Sequence, residues 1–463
     1  MSLACLSSFP RSRLLSNPAS IPTCGCATTP LHYLYYINLS TMLSFRGSNN
    51  AQLHKIPWRY ALPHEYNKET NPTGMISFAL AEHAPMRAEI ANYINTKVEF
   101  NVASVAYTSG NNAIHRLQNA VAMHLNNLLD PIVPIESEEV IVASGATAIG
   151  SMLGFTLAEP GDGILISRPA YGRFELDYGV EAGVQMVYAD TTVEEAFAPS
   201  VVEKYELALR DARARGVQIR ALMLVNPHNP TGLCYSVQTL TEILKFCNKH
   251  QLHLISDEIY ASCVFDSGDP YAVPFTSILS LSTPKLINPD LVHLLYGFSK
   301  DFASGGLHLG FLITKNKPLR HSCNAILRLH SASTAAVTIG TTILEDQDFV
   351  HNFTAKSQRS LASAYRIATS TLAQEGINYI KGGNAGFFIY IDLSPYLPKD
   401  SSSNSTSPPE FALAQKFVDA GVFLHPCEEH GNIPGWFRLV FAQEEDVLRE
   451  GLRRMIGVLN SLA

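Results

Sequence analysis

Short apolar runs that each break off into a turn rich in Gly, Pro, Ser or Asn leave this chain few architectures. Val140-Ile-Val-Ala143 runs into Ser144-Gly-Ala-Thr-Ala148, and Ala221-Leu-Met-Leu-Val225 into Asn226-Pro-His-Asn-Pro-Thr-Gly232. Leu252 to Tyr260 is a third such run, and a fourth precedes Gly297-Phe-Ser-Lys-Asp301. The two prolines after Val225 forbid helix there. Strands alternating with helices from about residue 140 to 314 predict a mainly parallel sheet covered by helices on both faces.

Sheets of this kind present functional groups beyond the C-terminal ends of their strands, which is where the polar residues cluster. Lys300 lies in a Ser/Gly-rich turn after an apolar strand. A partly desolvated lysine loses its proton readily and can form a Schiff base with an aldehyde cofactor. Asp257 and Tyr260 are expected at the end of the Leu252–Tyr260 run. Ser144 to Ala148 opens a helix, whose free backbone N–H groups form an anion cradle at Gly145, Ala146 and Thr147. A solvated loop lysine is the plain alternative for Lys300.

Asn226-Pro-His-Asn-Pro-Thr-Gly232, Ser256-Asp-Glu-Ile-Tyr260, Ser299-Lys-Asp301 and Pro434-Gly-Trp-Phe-Arg438, in this order, resemble the class I/II aminotransferases of the pyridoxal-phosphate fold type I superfamily. Asn71 to His83 looks closer to the branch that contains 1-aminocyclopropane-1-carboxylate (ACC) synthases. The resemblance covers roughly residues 55 to 460 and implies pyridoxal 5'-phosphate as cofactor. It also implies an α/β fold with a mainly parallel seven-stranded sheet in the large domain and a smaller α/β domain. On that reading residues 42–95 contribute to the small domain, 96–324 form the large one and 325–463 complete the small one.

Residue by residue, the resemblance makes Lys300 the cofactor-binding base and Asp257 the partner of the ring nitrogen. A carboxylate there keeps that nitrogen protonated. Tyr260 and Asn229 match donors to the phenolate oxygen, and Tyr171 matches the aromatic that stacks on the ring, with a core tyrosine as its alternative. Arg438 matches the clamp for the substrate α-carboxylate, a role that suits arginine's planar fork; a structural ion pair is its alternative. Glu82 matches a glutamate near the substrate in ACC synthases, and Tyr107 lies close to a residue that reaches the neighbouring subunit's phosphate.

The phosphate end departs from the pattern. The family's lysine segment normally carries an arginine eight residues after the lysine and often a serine three before it; this chain has His308 and Gly297. An imidazole offers one donor and a pH-dependent charge. A lost charge-assisted hydrogen bond is worth about 1.5–3 kcal/mol. Either the cradle and Ser299 hold the phosphate, or His308 is protonated beside it, or activity has drifted low.

Function therefore reads as an enzyme acting on an α-amino acid, first an aminotransferase passing the amino group to a 2-oxo acid. The alternative is an ACC-synthase-like lyase that eliminates at the β or γ carbon or cleaves a C–S bond, and a third is a catalytically weakened cofactor-binding paralogue. The family implies a homodimer. At 463 residues, 46% hydrophobic, the chain can bury a large core. A net charge of −7 with no long basic run argues against nucleic acid.

No Asp or Glu occurs before Glu65, while Ser, Pro and Arg are frequent. Residues 1–41 thus read as a leader that is disordered or removed, with Met42 as a natural start and mitochondrial import as the alternative to a cytoplasmic location. The apolar stretch Leu31 to Leu43 is too short to span a bilayer, so no membrane partner is expected. Eight scattered cysteines and sixteen histidines show no metal-ligand spacing.

Overall fold

In the computed structural model, strands β2 (Val140–Ala143), β3 (Gly163–Ser167), β4 (Gln185–Ala189), β5 (Ile219–Val225), β6 (His253–Asp257), β7 (Val292–Gly297) and β8 (Gly310–Thr314) form one sheet, preceded in the chain by a short β1 (Ile76–Ser77). The structure describes residues 43–52, 65–106, 112–398, 408–426, 431 and 433–462. The sheet order is β2-β8-β7-β6-β5-β3-β4, parallel except for β8, which runs against both neighbours. The expected seven-stranded, mainly parallel sheet is therefore present.

Every residue of β2, β3, β7 and β8 is buried. Successive side chains point to opposite faces, so β5 sends Leu222 and Leu224 into one apolar core and Ala221, Met223 and Val225 into another. Helices cover both cores, and their ends are specified locally. Ser236 accepts from Thr239 N to start the helix Val237–His250, and Ser333 accepts from Ala336 N to start Thr334–Glu345.

A third core belongs to a smaller lobe. There β9 (Phe388–Asp392), β11 (His425–Pro426) and β12 (Trp436–Val440) form an antiparallel sheet ordered β11-β12-β9, and β10 (Val422–Phe423) pairs in parallel with β1. Helices Gln347–Gln374, Pro409–Asp419 and Glu445–Asn460 pack on it. Phe78 N donates to Phe423 O and Val440 N to Phe78 O, which ties the segment after β1 into this lobe.

Residues 1–56 and 57–463 separate as two units; the described part of the first contains the helix Phe45–Gln52. The expected leader and Tyr107 lie outside the described residues. Cys234, Cys247, Cys263 and Cys323 are free thiols in the core. Among the described residues no helix is long and apolar enough to cross a membrane.

Candidate active site

The end of β7 delivers the lysine. Gly297 passes directly into the short helix Phe298–Asp301, with Phe298 and Phe302 stacked at 4.5 Å beneath it. Asp301 locks this helix to the turn after β6: its carboxylate accepts from Ser262 N at 3.0 Å, from the Tyr296 hydroxyl at 2.8 Å and from Cys263 Sγ at 3.1 Å. Lys300 Nζ donates to Ala81 O at 2.7 Å and lies 5.9 Å from the centre of the Tyr260 ring. Burial first and the Arg438 charge second pull the Lys300 ammonium down to about 8.

β6 ends at Asp257, so Tyr260 sits in the following turn rather than on the strand; Glu258 N has already turned to donate to Leu295 O. Asp257 accepts from Ile259 N at 3.2 Å. Its burial raises the carboxyl to about 6, with the Asp177 charge adding to the effect and Lys300 opposing it. Tyr260 is held edge-on between Phe387 and Phe388 at 5.3 and 5.2 Å, and burial pushes its phenol well above the usual range, so it stays a neutral donor.

The cradle forms where β2 meets the helix Ala146–Leu157. Gly145, at φ +93°, supplies no side chain to the first-turn amides, which leaves them to a ligand. Gly310 makes this loop possible, because a Cβ on it would lie 2.6 Å from the Gly145 carbonyl carbon. Gly297 is equally constrained: its Cβ would lie 2.9 Å from Leu309 O. A serine there would collide with the backbone of the strand that follows. His308, in the left-handed region at φ 46°, packs its backbone near Gly145 and keeps an exposed side chain at the cavity wall.

One cavity of about 1060 Å³ is lined by Gly145, Ala146, Thr147, Tyr171, Asn229, Asp257, Tyr260, Ser299, Lys300, His308 and Arg438. Arg438, 4% exposed on β12, donates to Asn229 Oδ1 at 3.0 Å and Ala79 O at 2.6 Å. Glu82 is the exception. Its carboxylate pairs with Arg87 and is absent from the lining residues, because the chain turns at Ala81 and directs Glu82 to the rim beside Gly305. His83 is buried instead, between Ser357 and Ser360.

Sequence reasoning missed Asp177, which accepts from the Thr147 hydroxyl and is raised to about 6 by burial, and His425 on β11. It also missed the role of Asp301. Asp177 and His425 lie in no turn that marks chemistry, and Asp301, although it follows Lys300 directly, takes its role from contacts with Ser262, Cys263 and Tyr296 that only packing makes.

Pyridoxal phosphate fits these residues. The buried Asp257 carboxyl lines the cavity, the Tyr178 hydroxyl on the same wall has no hydrogen-bond partner among the described residues, and the helix start without a side-chain cap suits a phosphate. With the free amine of Lys300 as the nucleophile, capture of added cofactor should speed up about tenfold per pH unit and level off above about 8. Stopped-flow mixing of cofactor-free protein with pyridoxal phosphate, from about pH 6.5 to about pH 9.5, checks this; a rate still climbing tenfold per unit at the top contradicts the lowered value.

The model of the family "Aminotransferase class I and II" matches residues 104–455. The chain is 31% identical over 410 residues to the human "1-aminocyclopropane-1-carboxylate synthase-like protein 1", covering 85% of this chain and 78% of that one. It is 30% identical to "1-aminocyclopropane-1-carboxylate synthase 2" of Solanum lycopersicum, over 84% of this chain and 82% of that one. Among solved structures, the aspartate aminotransferase of Thermus thermophilus with maleate superposes with a TM-score of 0.65 at 19% identity, over 89% of this chain and 95% of that chain.

Proposed function

The chain belongs to the class I and II aminotransferase family, and from that premise we propose that this pyridoxal-phosphate enzyme transfers the amino group of an α-amino acid to a 2-oxo acid. The observation that carries the proposal is Lys300: a buried amine near Asp257, with its proton affinity lowered, in the same cavity as an arginine suited to a carboxylate. Pyridoxal phosphate supplies the electron sink that stabilises a carbanion at the substrate α carbon. The rest falls to the protein.

With the cofactor bound, Asp257 would hold a proton at its ring nitrogen, and Tyr260 and Asn229 would donate to its phenolate oxygen. Tyr171 would supply the stacking aromatic. The amides of Gly145, Ala146 and Thr147, with Ser299 and His308, would hold the phosphate. Arg438 exchanges two neutral acceptors, Asn229 and Ala79, for the substrate carboxylate. Lys300 would take the proton from the substrate α carbon and hold it on Nζ. Transfer would be complete only once water has released the first oxo acid and the acceptor 2-oxo acid has passed through the same proton transfer in reverse.

An ACC-synthase-like elimination is the second reading, favoured by the names of the curated relatives. Against it, Glu82, the residue that pointed that way, is engaged by Arg87 at the rim. The test supplies the loaded enzyme with a panel of amino acids, with and without a 2-oxo acid acceptor. A new amino acid formed only with the acceptor supports transfer; ammonia and an oxo acid released without it establish the lyase, and no turnover with any substrate refutes both.

A further inference from the structure

β5 and β6 carry Asn229 and Asp257 just past or at their C-terminal ends. A second cavity, of about 560 Å³, lies at the starts of the same two strands, where the helices Val201–Ala214 and Val237–His250 end. Its floor is apolar, with Leu209, Ile219 and Leu252 buried beneath it. Four side chains able to carry positive charge also line it, Arg213, Arg220, His250 and His253, and no carboxylate does among the described residues.

Two of the four have an ordinary explanation. Arg213 and His250 fall in the last turns of their helices, where positive charge complements the helix dipole, and His250 Nε2 is 2.8 Å from Glu206 Oε1. Arg220 and His253 stand at the starts of strands, where no such reason applies. Arg220 gives Nε to Asp162 at 2.7 Å, which leaves its two terminal nitrogens without a hydrogen-bond partner among the described residues. His253 Nδ1 lies 2.8 Å from His293 Nε2, and His293 Nδ1 lies 2.8 Å from Thr314 Oγ1, so Nε2 is the His253 nitrogen left to the cavity. Burial first and the Arg220 charge second lower the proton affinity of His253. A guanidinium and an imidazole thus face each other across a space that no acid lines, and an anion between them would replace repulsion with charge-assisted hydrogen bonds.

We propose that this cavity binds a small organic anion, its carboxylate or phosphate head held by Arg220, His253 and the exposed Arg213 and its apolar body laid on Leu209, Ile219 and Leu252. The volume falls within the range of about 300–1,000 Å³ usual for small-molecule sites. A bare inorganic ion would leave the apolar floor uncovered. The site is separate from the cavity that holds Lys300 and does not depend on which reaction occurs there.

The test titrates cofactor-loaded protein with 8-anilinonaphthalene-1-sulfonate, an apolar anion that fluoresces when shielded from water. Wild type should show a saturable site from which octanoate displaces the dye and octanamide, the same body without the charge, does not. Octyl phosphate run beside octanoate identifies the preferred head, and tighter displacement by either supports the site. Arg213→Glu and Arg220→Gln should each weaken dye binding about tenfold or more, the worth of one charge-assisted hydrogen bond, with the cofactor absorption unchanged. Arg213→Lys, which keeps the charge, should bind nearly as wild type. Arg213 is exposed and makes no ion pair among the described residues, so its variants keep the test decisive even if Arg220→Gln fails to fold. Absence of a saturable site, affinity unchanged in Arg213→Glu, or displacement by octanamide or inorganic phosphate as readily as by octanoate overturns the proposal.

Discussion

Lys300→Ala protein is expected to fold, to bind pyridoxal phosphate without a covalent bond, and to turn over about 10⁴-fold more slowly, the upper end for loss of a positioned proton-transfer group. The fold should survive because Lys300 contributes one hydrogen bond, to Ala81 O, whereas the lysine helix is held by Asp301, Phe298 and Phe302. The absorption of the covalently bound cofactor should vanish. Added methylamine should restore part of the activity by acting as a diffusible base, a recovery that a merely misfolded variant would not show. Retention of the covalent band would mean that another amine holds the cofactor.

Asp257→Asn should produce two effects of opposite sign. With cofactor bound, turnover should fall by about 10²–10³, as for removal of one preorganised electrostatic partner. Without cofactor, the variant should be the more heat-stable protein at neutral pH. The folded state holds the Asp257 proton up to about 6, above its ordinary value of 3.8, because burial penalises the charged carboxylate. The stability associated with the protonated form is therefore complete below 3.8 and lost as pH rises through about 6. Melting curves of cofactor-free wild type and variant should nearly coincide below about pH 3.8, diverge between 3.8 and about 6, and keep a steady gap above that, with the variant higher. A variant less stable at every pH would assign Asp257 a structural role instead.

Most of the site was legible because its residues sit in turns whose composition announces them. Lys300, Asn229 and Gly145 follow apolar strands, and those strands, β7, β5 and β2, prove to be members of one sheet that run the same way, each separated from the next by a single strand. Glu82 failed as a wall residue because a motif match gives position along the chain but not rotation about it: one residue earlier, Ala81 turns its carbonyl to Lys300, and Glu82 faces Arg87. Gly297 looked like a loss at the phosphate end until the strand after it supplied the reason, a carbonyl too close for any Cβ.

The order of strands and turns, the cofactor chemistry and the identity of the central lysine follow from the sequence, because each depends on local periodicity or on short motifs. Acidity and neighbours do not. The lowered proton affinity of Lys300 and the raised ones of Asp257 and Asp177 come from burial and from charges distant in the chain, and the pairing of His425 with Arg438 comes from the register between two strands. Desolvation and cross-strand contact exist only once the lobes have packed, which is why the lysine could be located from the sequence while its acidity and its neighbours could not.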